Sequence, residues 1–163
     1  MLTDFSYEDI ISDNIKTNIT KANKNKVFLE NIYNSTFNIP SKQHHSIFIW
    51  NNISNIIYLD KKCNHIFLYN CKHITLHNVD CLTGITLLNC TYCNILFKKT
   101  PLYSIEISNS FNILLRSLLF SLPIIFKNCS ITLYKEINYV PIEYVKIEDN
   151  NIFSQWHYKV FNF

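Results

Sequence analysis

The chain has almost no glycine and almost no arginine: 163 residues hold one of each, Gly84 and Arg116. A single glycine excludes a glycine-rich phosphate loop, which needs several positions where backbone can approach an anion closely. It also argues against a left-handed hexapeptide acyltransferase, whose tight corners take many small residues. A single arginine removes the planar fork that reads phosphates and base edges. The net charge of +3, with no dense cluster of Lys and Arg, gives no footprint for nucleic acid. Lys16, Lys21, Lys24 and Lys26 form only a loose basic stretch and read as a solvated edge. Between Cys63 and Ser104 the one acid is Asp80. A carbohydrate-cleaving groove needs paired carboxylates, and they are missing. There is no GxSxG elbow and no His-rich metal motif. Residues 1–13 carry Asp4, Glu8 and Asp9 and no long apolar run, so neither a signal peptide nor a membrane span is expected. A cytoplasmic location follows as an expectation, with the six cysteines reduced and no cofactor implied.

What is present is a repeat of the form aliphatic-x-aliphatic-x-Asn. It reads Ile47-Phe48-Ile49-Trp50-Asn51, Ile66-Phe67-Leu68-Tyr69-Asn70, Ile85-Thr86-Leu87-Leu88-Asn89, Ile105-Glu106-Ile107-Ser108-Asn109 and Ile124-Ile125-Phe126-Lys127-Asn128. The steps are 19, 19, 20 and 19 residues, and Val27-Phe28-Leu29-Glu30-Asn31 is a weaker copy upstream. A fixed period this short means stacked coils. Second apolar runs follow each Asn, at residues 56–59, 74–76, 95–97, 113–115 and 131–133. Each coil therefore holds two short strands around a polar corner. The fold expected is all-β, a parallel β-helix of about five to six coils.

Period-two alternation sends Ile47, Ile66, Ile85, Ile105 and Ile124 inward as one ladder, and Ile49, Leu68, Leu87, Ile107 and Phe126 as another. The corner Asn tolerates turn conformations and can form an amide ladder with the Asn of the next coil. Cys71, Cys90 and Cys129 each follow a corner Asn and read as small reduced core residues. Cys90-x-x-Cys93 has no second such pair, which makes it a weak zinc signature. His73 and His77 would stand about 13 Å apart on a strand, too far for one ion.

The same alternation turns Phe48, Trp50, Phe67, Tyr69 and Leu88 outward. Two readings of that surface stay open: a partner interface, or a face covered by the chain's own termini. Residues 1–26 are expected to be a short helical or irregular cap, with Leu2, Phe5, Ile11, Ile15 and Ile19 roughly on one side. Residues 27–149 form the β-helix, and the aromatic tail 150–163 is expected to dock on it.

The run Asn89-Cys90-Thr91-Tyr92-Cys93-Asn94-Ile95-Leu96 resembles a coil of the C-CAP/cofactor C-like domain of tubulin-binding cofactor C. Pro123-Ile124-Ile125 with Asn128-Cys129, and the closing Asn150-Asn151 through Trp156 and Val160-Phe161-Asn162-Phe163, are similar to further motifs of that family. The resemblance spans residues 46–163. The actin-binding domain of cyclase-associated proteins shares the coil period. The resemblance implies a right-handed parallel β-helix that binds tubulin or a small GTPase in cytoskeleton assembly, with actin as the alternative partner. In cofactor C a Gln-x-Arg-x-His stretch supplies an arginine finger. Here the Arg slot falls on Tyr103, and residues 99–107 contain no Arg, Gln or His. Lys98 and Lys99 are the nearby cations. The expectation is a non-catalytic binding module, with Lys98, Lys99, Tyr103, Phe48, Trp50, Phe67 and Tyr69 as candidate partner surface. A small β-helix enzyme acting on sugars or acyl groups is the remaining, less supported reading.

Overall fold

The computed structural model describes residues 21–22, 25–39, 42–99, 104–117, 121–137, 140–149 and 157–162. All the regular structure among them is strand. After the short β1 (Lys21–Ala22) come pairs of strands, each pair one rung. They are β2 (Lys26–Glu30) with β3 (Thr36–Ile39), β4 (Ser46–Trp50) with β5 (Ile53–Leu59), β6 (Cys63–Tyr69) with β7 (Lys72–Val79), and β8 (Cys81–Leu88) with β9 (Asn94–Phe97). In the next two rungs the strand continues through the corner, as β10 (Ser104–Ser117) and β11 (Ser121–Ile137). The six rungs make a parallel β-solenoid of about five turns with a period of about 19 residues.

Two parallel faces run along it. The first is β2-β4-β6-β8-β10-β11, the second β3-β5-β7-β9-β10-β11. Register is one-to-one at the repeat: Ile47 pairs Ile66, Ile66 pairs Ile85, Ile85 pairs Ile105 and Ile105 pairs Ile124. Both predicted ladders are buried throughout, as is a third on the second face, Phe37, Ile57, Leu76, Ile95, Leu115 and Leu133. Each such side chain contributes about 1.5–3 kcal/mol relative to exposure. A slip of one residue would turn every ladder outward, so the core itself holds the register.

The corners explain the asparagines. Asn31, Asn51, Asn70, Asn89, Asn109 and Asn128 all sit in the left-handed region, with φ between 47° and 56°. Asn is among the few L-residues that enter it readily, because its short amide can bond locally. The ladder forms as well: Asn70 Nδ2 donates to Asn51 Oδ1 at 2.7 Å, and Asn128 Nδ2 to Asn109 Oδ1 at 2.9 Å. A second left-handed column follows three residues on, at Asn34, Ser54, His73, Tyr92 and Asn112. At the first five corners two left-handed residues fold the chain from one face to the other without glycine.

After Asn51, Asn70, Asn89 and Asn109 the next residue points inward and donates to backbone. Asn52 Nδ2 bonds Trp50 O and Leu29 O at 2.7 and 2.8 Å. Cys71 Sγ lies 3.4 Å from Tyr69 O and 3.2 Å from Ile49 O, and Cys90 Sγ takes the equivalent carbonyls of Leu88 and Leu68. Ser110 Oγ bonds Ser108 O at 2.8 Å. At these four corners a small donor, Cys, Ser or Asn, bonds the turn from inside, while buried Ile32 holds the same place after Asn31.

Both ends depart from parallel stacking. At the front, β1 pairs β2 antiparallel. At the back, β12 (Val140–Asp149) and β13 (His157–Asn162) both lie antiparallel on β11, β13 on its first half and β12 on its second. The last parallel rung is thus β11, and its edge is paired with antiparallel strand, which removes a template for aggregation. The cap expected at the N-terminus falls mostly on residues 1–20, outside the described residues.

Candidate partner-binding face

The outward side of the first face carries aromatic side chains on its first three rungs and Thr86 and Leu88 on the fourth. Register sets two columns there. One runs Phe28, Phe48, Phe67, Thr86; the other runs Glu30, Trp50, Tyr69, Leu88. Phe28 and Phe48 stack with ring centroids 4.9 Å apart, and Phe48 and Phe67 at 4.8 Å and 6°. These distances are the rung spacing itself, so the parallel register enforces the stack. Trp50 meets Phe28 and Phe48 edge-on at 5.5 and 5.8 Å. The rings cross at 72° and 77°, the edge-to-face arrangement that aromatic quadrupoles favour. Lys26 Nζ lies 5.9 Å from the Phe48 centroid.

Phe48, Trp50, Phe67, Leu68, Tyr69, Thr86 and Leu88 line an open apolar groove of about 330 Å³. Tyr69 and Leu88 are 43% and 36% exposed at its open side. Further along the same columns stand Glu106 and Ser108, so the apolar surface ends at the fifth rung.

His65 braces the groove. Its ring packs on Phe67 at 4.3 Å, with Nδ1 2.8 Å from Thr83 Oγ1 and Nε2 2.9 Å from Thr86 Oγ1. Thr83 Oγ1 already donates to Asn64 O, so it accepts from His65 Nδ1–H, and Nε2 accepts from the Thr86 hydroxyl. The ring is neutral in that arrangement. Burial favours the same state and holds its pKa below the usual value.

The four expected aromatics, Phe48, Trp50, Phe67 and Tyr69, come together in this face. Lys98 and Lys99 do not join them. They are exposed just after β9, on the opposite face, with both backbone N–H groups directed to Val79 O. Tyr103 lies outside the described residues. Sequence reasoning missed Phe28, which the weak first repeat already carried, and the His65–Thr83–Thr86 brace, whose spacing follows no motif.

The cysteines are core residues. Cys63, Cys71, Cys81, Cys90, Cys93 and Cys129 are all free and buried. Cys63 and Cys81 are rung neighbours with sulfurs 3.6 Å apart. Hydrogen bonding to Cys63, together with burial, pushes the Cys81 thiol well up. Cys71 and Cys93 are pushed up by their bonds to the Cys90 sulfur and by burial, and the same two bonds lower Cys90. Cys71, Cys81 and Cys93, held protonated, are poor nucleophiles and poor metal ligands. Among the described residues no three His, Cys, Asp or Glu side chains gather as a metal site, and no helix is long and apolar enough to cross a membrane.

Comparison with curated proteins returns no match. The family model described as adenylate cyclase associated (CAP) C terminal matches residues 16–144. That is well over half of the chain, and it takes in all six rungs; the chain belongs to this family.

Proposed function

We propose that this protein is a non-enzymatic cytoskeletal binding module that takes monomeric actin on the outward face of its first four rungs, which is aromatic on the first three. Membership in the cyclase-associated C-terminal family over residues 16–144 carries the reading. The face supplies the surface: a groove built of Phe, Trp and Tyr on a rigid sheet, where those residue types dominate binding energy. The chemistry around it favours contact over catalysis, since the groove is lined almost wholly by apolar side chains.

A second reading keeps tubulin or a small GTPase as partner, and the Asn89-Cys90-x-x-Cys93 coil favours it. Cys90 and Cys93 hold corner carbonyls from within the core, a packing role any solenoid of this period can use. The motif therefore weighs less than the family match.

The test is a titration of the protein into labelled monomeric actin, tubulin and a small GTPase in parallel, with Phe67→Ser as the surface variant. Saturable binding to actin that the variant weakens is the expected result. Binding to tubulin or the GTPase with none to actin would replace this reading by the second.

A further inference from the structure

We propose that Cys63 and Cys81 form an oxidation site: a hydroperoxide joins them as a disulfide that ties the third rung to the fourth. The proposal is independent of which partner the outward face takes.

Geometry carries the argument. The two cysteines open β6 and β8 and are register partners on adjacent parallel strands. Strand spacing puts their Cα atoms about 4.8 Å apart, inside the range of about 4.4–6.8 Å that a disulfide bridges. Their sulfurs stand 3.6 Å apart. Side-chain rotation that brings them about 1.5 Å closer makes the bond. Cys71, Cys90 and Cys93 also approach one another, but corner carbonyls hold all three of those sulfurs.

The backbone beside the pair supplies a way in. Asn64 stands opposite two residues, Leu82 and Thr83, so a bulge interrupts the ladder next to the two cysteines. Gln43, His44, Asn64 and Leu82 line an open cleft of about 480 Å³ there. Side chains alternate along a strand, which puts this cleft on the outer side of the backbone and the buried sulfurs on the inner side. Local opening at the bulge admits an oxidant as small as hydrogen peroxide.

Hydrogen bonding to Cys63 and burial hold the proton on Cys81, so Cys63 attacks first. Its sulfur takes one peroxide oxygen, the O–O bond breaks, and Cys63 sulfenic acid and one water result. The Cys81 sulfur then attacks Cys63 Sγ. The S–O bond breaks, and the hydroxide leaves with the Cys81 proton as a second water. Two thiols have lost two electrons, and one peroxide has gained them.

The experiment treats the reduced, folded full chain with hydrogen peroxide, blocks the remaining thiols by alkylation and maps linked peptides by mass spectrometry. A urea-unfolded sample is treated alike. The folded chain should lose two of its six thiols and yield a Cys63–Cys81 peptide that the unfolded sample does not favour. Its melting temperature should rise by about 6–12 °C and fall back with dithiothreitol, since the bond closes a loop of one rung. In Cys81→Ala the reaction should stop at Cys63 sulfenic acid, which dimedone captures. Six thiols retained by the folded chain, or pairing among Cys71, Cys90 and Cys93 instead, overturns the proposal. So does the same Cys63–Cys81 yield from the unfolded sample, or a lowered melting temperature in the linked protein. Should Cys81→Ala fail to fold, the peptide map of the unaltered chain decides by itself.

Discussion

Replacing Asn70 separates the two roles assigned to the corner asparagines. Asn70 is left-handed, with φ 53°, and its Nδ2 donates to Asn51 Oδ1 at 2.7 Å. Asn70→Gly keeps the backbone conformation free of strain but removes the amide bond. That bond is exposed, so its loss costs about 0.5–1 kcal/mol. Asn70→Ala removes the bond and also forces a Cβ residue without a local partner into the left-handed region, at a further cost of about 1–2 kcal/mol. The order of stability should be wild type, then Gly, then Ala. The two variants should differ by about 1–2 kcal/mol, or about 2–8 °C in melting temperature for a chain of this size. Thermal unfolding followed by far-UV circular dichroism measures it directly. If Ala were as stable as Gly, the left-handed corner would not be what selects Asn, and the account of the repeat would fail.

Other perturbations address the rungs and their histidines. A Cβ on Gly84 would stand 2.0 Å from the Ser104 carbonyl oxygen and 3.5 Å from the His65 ring. Gly84→Ala should therefore push two rungs apart and destabilise by about 1–3 kcal/mol or more, read as a fall in melting temperature; an unchanged value would refute the close approach. Deleting residues 68–86 joins Phe67 to Leu87, the register partner of Leu68, and should leave a stackable solenoid. Deleting about half as many residues from the same place breaks the register and should unfold it; equal tolerance of both would count against the fold. His45 is held at about 4 by burial, with His44 and Lys42 adding to the effect, and burial also lowers His65 and His77. Bases with depressed folded-state pKa values stabilise fully above about 6.5, and that stability is lost as pH falls from there toward 4. Urea midpoints measured across that window should decline on acidification, and less steeply in His45→Gln; a flat profile would contradict the assignment.

The rung architecture was legible because two signals coincide: alternation marks the inward ladders, and Asn at constant spacing marks the corner. Ile47 through Ile124 and Asn51 through Asn128 needed nothing beyond the sequence. The second left-handed column was not legible. Ser54, His73 and Tyr92 share no residue type with Asn34 and Asn112; the neighbouring rungs impose the conformation on whatever stands there. Gly84 was visible only as a lone glycine, since the approach of Ser104 comes from the next rung. The antiparallel strands β1, β12 and β13 were hidden for a similar reason: they fall outside the repeat, and edge pairing leaves no periodic mark. In the candidate face, Phe48, Trp50, Phe67 and Tyr69 followed from alternation alone. Lys98 and Lys99 were drawn from the cofactor C motif, and the solenoid sets them on its other side.

The central claim concerns the aromatic face and its partner. The most direct measurement is the dissociation constant of monomeric actin for the wild type and for Trp50→Ala, with circular dichroism confirming that both are folded. A central aromatic anchor is worth about 2 kcal/mol or more, so binding should be saturable in the wild type and weaker by about 30-fold in the variant. Equal affinity for the two proteins, or no binding by either, would contradict it.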